Sequence, residues 1–127
     1  MIRIELPWPA RPLWANHRGS LRDKITAPKA ARRDAWGLAL QAGLRGGMMK
    51  RPILRFQFHP PTARLPDLQN MPHTQKAAID GIADALGMDD KHFLCVWPMA
   101  FAEPVKGGKV VVTIEDVGMV PIIGQIS

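Results

Sequence analysis

The sequence predicts a single α/β (α+β) domain of order β-α-β-α-β-β, with a mixed sheet covered by two helices. Three observations carry this. Apolar residues alternate with polar ones in short runs near 2–6, 54–59 and 110–114, the period of a half-buried strand. Two other stretches space their apolar residues by three and four, as helices do. The chain has 127 residues, 46% of them hydrophobic, enough for one core and one domain.

Each element has its own signal. Ile2, Ile4 and Leu6 share one face of a first strand, which Pro7-Trp8-Pro9 ends. Residues 10–25 form a long loop rich in Arg, Asn, Gly and Ser. A helix is expected from Thr26, with Thr26 as N-cap and Pro28 in the first turn. Ala31, Ala35, Leu38, Ala39 and Ala42 mark its core face, and Gly46-Gly47 its end. Strand two covers about 52–59, with Leu54, Phe56 and Phe58 pointing inward and Pro60-Pro61 closing it. The second helix runs from Gln75, or from nearer Asn70, to Leu86, with Ile79, Ile82, Ala83 and Leu86 as its stripe and Gly87 as its stop. A third strand is expected over 93–101. A hairpin turn at Lys106-Gly107-Gly108-Lys109 then leads into a fourth over 109–115. The tail 117–127 is apolar but broken by Gly118, Pro121 and Gly124; an edge strand and a subunit contact are both open.

Composition narrows the function classes. No apolar run is long enough to span a membrane. The first residues alternate as a strand does and do not form an apolar export segment. Cys95 is the single cysteine, so no internal disulfide can form, and a reducing cytoplasm is the expected setting. In the apolar run 93–97 its thiol reads as buried and inert. The formal net charge is +6, unevenly spread: residues 1–64 carry 13 Lys/Arg against 3 Asp/Glu, and residues 65–127 carry 4 against 8. A basic half suits a polyanionic partner, and an acidic half suits a metal-dependent nuclease. A solvated basic face on an ordinary domain is the alternative.

The stretch 67–90 is the most informative. Asp67 precedes a helix, Lys76 lies near its start, and Asp89-Asp90 follow its end. Phosphodiester hydrolysis with Mg²⁺ or Mn²⁺ needs hard oxygen ligands, and a lysine can counter charge on the phosphate. Asp67 and Asp90 converge only if the helix packs back on the sheet. Acidic residues beside helices also serve as caps and solubilising charges.

The order of these motifs resembles the RusA family of Holliday-junction endonucleases. Leu6-Pro7-Trp8-Pro9 is similar to that family's first strand and its proline-rich exit, and polar and basic residues such as Asn16 and Arg18 follow. The family's Asp-x-Asp-Asn motif corresponds to Asp67-Leu68-Gln69-Asn70, its helix motif to Gln75-Lys76-Ala77-Ala78-Ile79-Asp80, and its acidic pair to Asp89-Asp90. Pro104-Val105-Lys106-Gly107-Gly108-Lys109 is similar to the last hairpin. The resemblance covers about residues 1–116.

The resemblance implies a RusA-like fold and catalytic roles for Asp67, Asp90 and Lys76, with Asp67 and Asp90 as metal ligands. Gln69 stands where the family has a second metal-binding aspartate, and the segment Met71–Thr74 is about three residues longer than the family's. Gln69 keeps an oxygen but loses the charge. The longer loop brings His73 towards the expected site as a substitute ligand, which would favour Mn²⁺; the alternative is an exposed loop histidine. Asp89, Gln69 and His73 are thus further candidate ligands. A different alignment places Asn70 and Pro72 at the aspartate positions.

Other residues have plainer readings. Asp80 and Asp84 read as a solvated helix face and Asp89 as a neighbour of the site. Trp97 reads as core, and Trp14 as a loop anchor or a base-stacking group. Arg18, Arg22, Lys24, Lys29, Arg32 and Arg33 are the expected phosphate contacts, which position DNA without reading its sequence. The resemblance implies a structure-specific endonuclease that resolves four-way DNA junctions in recombination and repair. Its expected cofactor is Mg²⁺ or Mn²⁺, and two symmetric cuts imply a homodimer. A phage or prophage origin would suit the family. Gln69 motivates an alternative, a related DNA-binding protein with little or no cleavage. A third reading is a small basic protein whose acidic residues only cap and solubilise.

Overall fold

A computed structural model describes residues 1–117 of the chain. The chain forms β1 (Ile2–Pro7), a 3-10 turn at Arg11–Leu13, α1 (Leu21–Gln41) and β2 (Pro52–His59). A second 3-10 turn at Leu68–Asn70 leads through the single-turn α2 (Met71–Thr74) into α3 (Lys76–Leu86). A third at Asp90–His92 precedes β3 (Leu94–Val96), and β4 (Lys109–Asp116) follows. The class is mixed α+β, with a four-stranded sheet in the order β1-β4-β2-β3. β4 is antiparallel to both β1 and β2, whereas β3 is parallel to β2. No helix among the described residues is long and apolar enough to cross a membrane. The expected contact role of 118–127 lies outside the described residues.

Strand alternation puts the core on one sheet face. Ile4 and Leu6 of β1, Leu54, Phe56 and Phe58 of β2, and Val110, Val112 and Ile114 of β4 form one buried cluster. Ala35 and Ala39 of α1 and Ile79, Ile82, Ala85 and Leu86 of α3 complete it. Trp97 stacks on Phe56 with ring centroids 4.3 Å apart, an aromatic pairing worth ~1 kcal/mol beyond its buried area. The opposite face carries charge pairs instead. Lys109 donates to Glu5 at 3.0 Å, Arg3 pairs with the same carboxylate at 3.0 Å, and Arg55 pairs with Glu115.

Four expected boundaries are corrected. The first helix starts at Leu21, five residues before Thr26, because Ser20 is its N-cap and accepts from the Asp23 amide at 3.2 Å. Thr26 lies inside that helix and donates to the Arg22 carbonyl at 3.0 Å. Pro28 is also internal and has no N–H to give to the Lys24 carbonyl. The helix ends at Gln41 and not at Gly46-Gly47. Gly43 takes φ +104°, its amide reaches Leu40 O at 3.1 Å, and Leu44 N reaches back to Ala39 O at 3.0 Å, a Schellman closure that buries Leu44.

The third strand is three residues long, shorter than the expected 93–101. Beyond it the chain leaves the ladder at Trp97-Pro98 but continues beside β2, with Ala102 N donating to Phe58 O at 2.9 Å and Val105 N to Pro60 O at 3.0 Å. The turn at 106–109 is therefore no β3–β4 hairpin. Gly107 and Gly108 have positive φ and carry the chain around the end of β2 into β4, which sits between β1 and β2.

The two helices cross closely at Gly81. A Cβ there would collide with the Arg32 carbonyl oxygen and lie 2.9 Å from the Trp36 amide nitrogen and 3.0 Å from the Ala35 Cβ. Alanine favours a helix over glycine by about 1 kcal/mol, but overpacking against backbone outweighs that gain. Gly81→Ala is predicted to lower unfolding free energy by ~2 kcal/mol, read from urea denaturation at pH 7. Equal or greater stability would show that the helices can separate without cost.

Candidate functional site

Lys76 is the first residue of α3, and its ammonium group is shared by two carboxylates. Nζ donates to Asp90 Oδ2 at 2.7 Å and to Asp80 Oδ1 at 3.0 Å. The Asp80 contact is the i,i+4 pairing of one helix. The Asp90 contact closes a longer loop: Gly87 stops α3 in a left-handed conformation at φ 64°, and the chain doubles back into the turn that opens with Asp90. Asp89 caps that turn, accepting from the Lys91 amide at 2.9 Å. The Lys76 hydrogen bond holds the Asp90 carboxyl below its ordinary range, against the opposing effect of partial burial. The same bond, followed by that to Asp80, pushes the Lys76 ammonium pKa up.

A surface cleft of about 380 Å³ opens beside this cluster. Lys76 and Asp80 line it from α3, His73 from α2, Lys24 and Pro28 from α1, and Trp14 and His17 from the loop after β1. The close α1–α3 crossing brings Lys24 to the same cleft as Lys76. Two lysines, two histidines and an indole around one depression can hold a phosphodiester and one edge of a sugar or base.

The expected site residues separate into groups. Lys76 and Asp90 are in direct contact. His73 and Lys24 share the cleft. Asp67 is exposed and caps the turn after it, its Oδ1 accepting from the Gln69 amide at 3.0 Å. Gln69 is exposed. Neither Asp67 nor Gln69 is among the residues lining the cleft. Lys29, Arg32 and Arg33 line a different depression with Trp36 and Asp84. There Arg32 makes a two-pronged pair with Asp84, at 2.7 and 2.9 Å, which lowers the Asp84 carboxyl pKa. Arg18 and Arg22 are exposed. Asp80 and Asp84, expected as a solvated face, each hold a cation. Sequence reasoning also missed His17 and the seating of Trp14 in the cleft wall. The Lys76–Asp80 spacing carried a signal for the first omission, whereas only the folded loop reveals the last two. Cys95, expected to be buried, is half-buried and packs against the core, and burial pushes its thiol pKa up.

The carboxylate oxygens are the right kind of donor for Mg²⁺ or Mn²⁺. Among the described residues no group of three His, Cys, Asp or Glu side chains lies together, so phosphate oxygens and water would have to complete any coordination shell around Asp80 and Asp90. Asp90 is engaged by Lys76, and Asp67 by its own turn.

The paired carboxylates make stability acid-sensitive. Asp84 and Asp90 both titrate lower in the folded chain. Their stabilisation is therefore fully present above the unfolded aspartate value of about 3.9 and is lost as pH falls through the lower folded values. Lys76→Met is predicted to raise the Asp90 midpoint, followed by carboxyl carbon NMR, and to make the acid loss of stability shallower. An unmoved Asp90 midpoint would show that the Lys76 contact does not persist in solution.

No family model matches the chain. An uncharacterized protein of Xylella fastidiosa (strain Temecula1 / ATCC 700964) is 38% identical over 122 residues, which are 92% of this chain and 78% of that protein. At that identity and coverage, the chain belongs to the same family as the Xylella protein.

Proposed function

We propose that this chain is a RusA-like, structure-specific DNA endonuclease that binds four-way junctions and cuts them in the cytoplasm as a homodimer, with Mg²⁺ or Mn²⁺. The observation that supports this reading best is the cleft that joins Lys24 of α1 to the Lys76–Asp80–Asp90 cluster. A phosphate entering it meets two ammonium groups. Lys76 can exchange its carboxylate partners for the non-bridging oxygens and counter the charge that grows on them during hydrolysis. Asp90 and Asp80 keep that ammonium protonated and hold it at the edge of the cleft. Two junction strands cut symmetrically call for two copies related by a two-fold axis.

A second reading, junction binding without cleavage, is favoured by one specific observation. Asp67 spends a carboxylate oxygen on the Gln69 amide, and the neighbouring position carries an uncharged side chain. The two readings share the DNA-binding cleft and differ only in its chemistry.

Purified protein with a synthetic four-way junction, a linear duplex control, and Mg²⁺ or Mn²⁺ in separate reactions tests both. The endonuclease reading predicts paired nicks near the branch point. Asp90→Asn should abolish them and leave mobility-shift binding within about twofold, as expected when a group acts on the transition state and not on ground-state binding. Lys24→Ala should weaken junction binding and reduce the slope of log K against log salt by about 1. Tight binding with no nicks in either metal selects the second reading, and no preference for the junction over duplex removes both. Gln69→Asp should leave cutting unchanged, because position 69 is exposed and outside the cleft; a gain in metal dependence would put this side chain at the reacting phosphate.

A further inference from the structure

A second groove, of about 480 Å³, lies on the other side of Trp14 and His17. These two residues line both depressions and form the ridge between them. Trp8 and Trp14 flank the groove with ring centroids 6.2 Å apart and planes inclined at 50°. Rings so inclined do not close face to face, and each indole is only half-buried.

The walls are built before any ligand arrives. The Trp14 indole N–H donates to the Pro9 carbonyl at 3.2 Å, which fixes the plane of that ring. Trp8 is held against the turn into β4: a Cβ at Gly108 would lie 3.0 Å from Trp8 Cβ and Cγ and 3.1 Å from Pro61 Cδ, and Gly108 itself has φ +70°. The His17 ring lies over Gly19, where any side chain would collide with it. Two indoles held in place with part of each ring open to a groove offer a flat partner a surface to stack on.

Charge narrows the partner. Arg11 lines the groove and is exposed, no acidic residue lines it, and Asn16 adds an amide able to hydrogen-bond a base edge. The neighbouring cleft supplies Lys24 and Lys76 on the far side of Trp14 and His17. A nucleotide joins a phosphate to a flat ring, the two chemistries that the adjoining depressions offer. The groove's volume suits one base and its sugar and is too small for a duplex.

We propose that the Trp8–Trp14 groove stacks one unpaired nucleobase while the adjoining phosphate sits in the Lys24–Lys76 cleft. The inference rests on the DNA-binding reading above. It adds to it a preference for DNA with at least one unstacked base, as at a branch point or gap. Stacking on an indole tolerates any base, so the preference is for structure and not for sequence.

The test uses the full chain and two fluorescent probes, a fully paired duplex and the same duplex with one unpaired 2-aminopurine in a single-nucleotide gap. Binding should quench the unpaired 2-aminopurine. Trp8→Leu should weaken binding of the gapped probe by at least about fivefold, the lower bound for losing one base–aromatic stack; Arg11→Ala should also weaken it, and each should weaken paired-duplex binding less than it weakens the gapped probe. Arg11 is exposed, so its variant keeps the test valid if Trp8→Leu fails to fold. Binding of both probes with equal affinity and no fluorescence change overturns the groove proposal alone. Absence of binding to either probe overturns the DNA-binding reading and this one together. Groove occupancy by a second copy of the chain would appear as tryptophan emission that changes with protein concentration and not with DNA, and it too would overturn the proposal.

Discussion

The crossing of α1 over α3 at Gly81 is the contact on which the arrangement of the molecule depends. With only a hydrogen at that position, the Arg32 carbonyl and the Trp36 amide of α1 can lie against the backbone of α3. The small residues Ala35 and Ala78 near the crossing are buried with it. Helices held so near form a single slab, and the slab covers the apolar face of the sheet. Everything chemical hangs from its rim. At one end, the crossing sets Lys24 beside the start of α3; further along, it sets Arg32 against Asp84.

That geometry changes the meaning of the charge distribution. The basic first half of the sequence is not one basic surface. Lys24 of α1 lines one depression and Lys29, Arg32 and Arg33 another, and the acidic second half reaches back to pair with Arg32 through Asp84. Lys76 is tied down in the same way by Asp80 and Asp90. These pairs are solvent-accessible and each contributes little to stability. What they provide is aim, because an ammonium held by two carboxylates has few directions left in which to point.

The sequence revealed the elements whose signal is local. The two-residue alternation at Leu54, Phe56 and Phe58 and at Val110, Val112 and Ile114 located the two central strands, because one buried face imposes that pattern. The α3 stripe and its Gly87 stop were equally direct. Thr26-Ala27-Pro28 imitates a helix start, while the true cap, Ser20, is followed by Leu21 and Ile25, which point to solvent and so add nothing to the core-facing stripe. Gly43 was passed over for the more conspicuous Gly46-Gly47. Strand order was beyond local reading, since nothing in 97–108 distinguishes a hairpin from a crossing connection. At the site, Lys76 and Asp80 were within reach of helical spacing, but the walls formed by Trp14 and His17 depend on where a long loop comes to rest.

The placement of β4 governs how the chain comes together in time. It is the last strand described, yet it is the only one that touches both β1 and β2. During synthesis the first strand therefore emerges with no neighbour to pair with and waits for roughly a hundred residues, exposing an apolar edge until residues 109–116 leave the ribosome. Long-range pairings of this kind are slow, because the intervening loop must be closed before any contact rewards it. The nascent chain is thus open to misassociation while the residues between β1 and β4 are made, and β4, once released, joins β1 to β2 in one step.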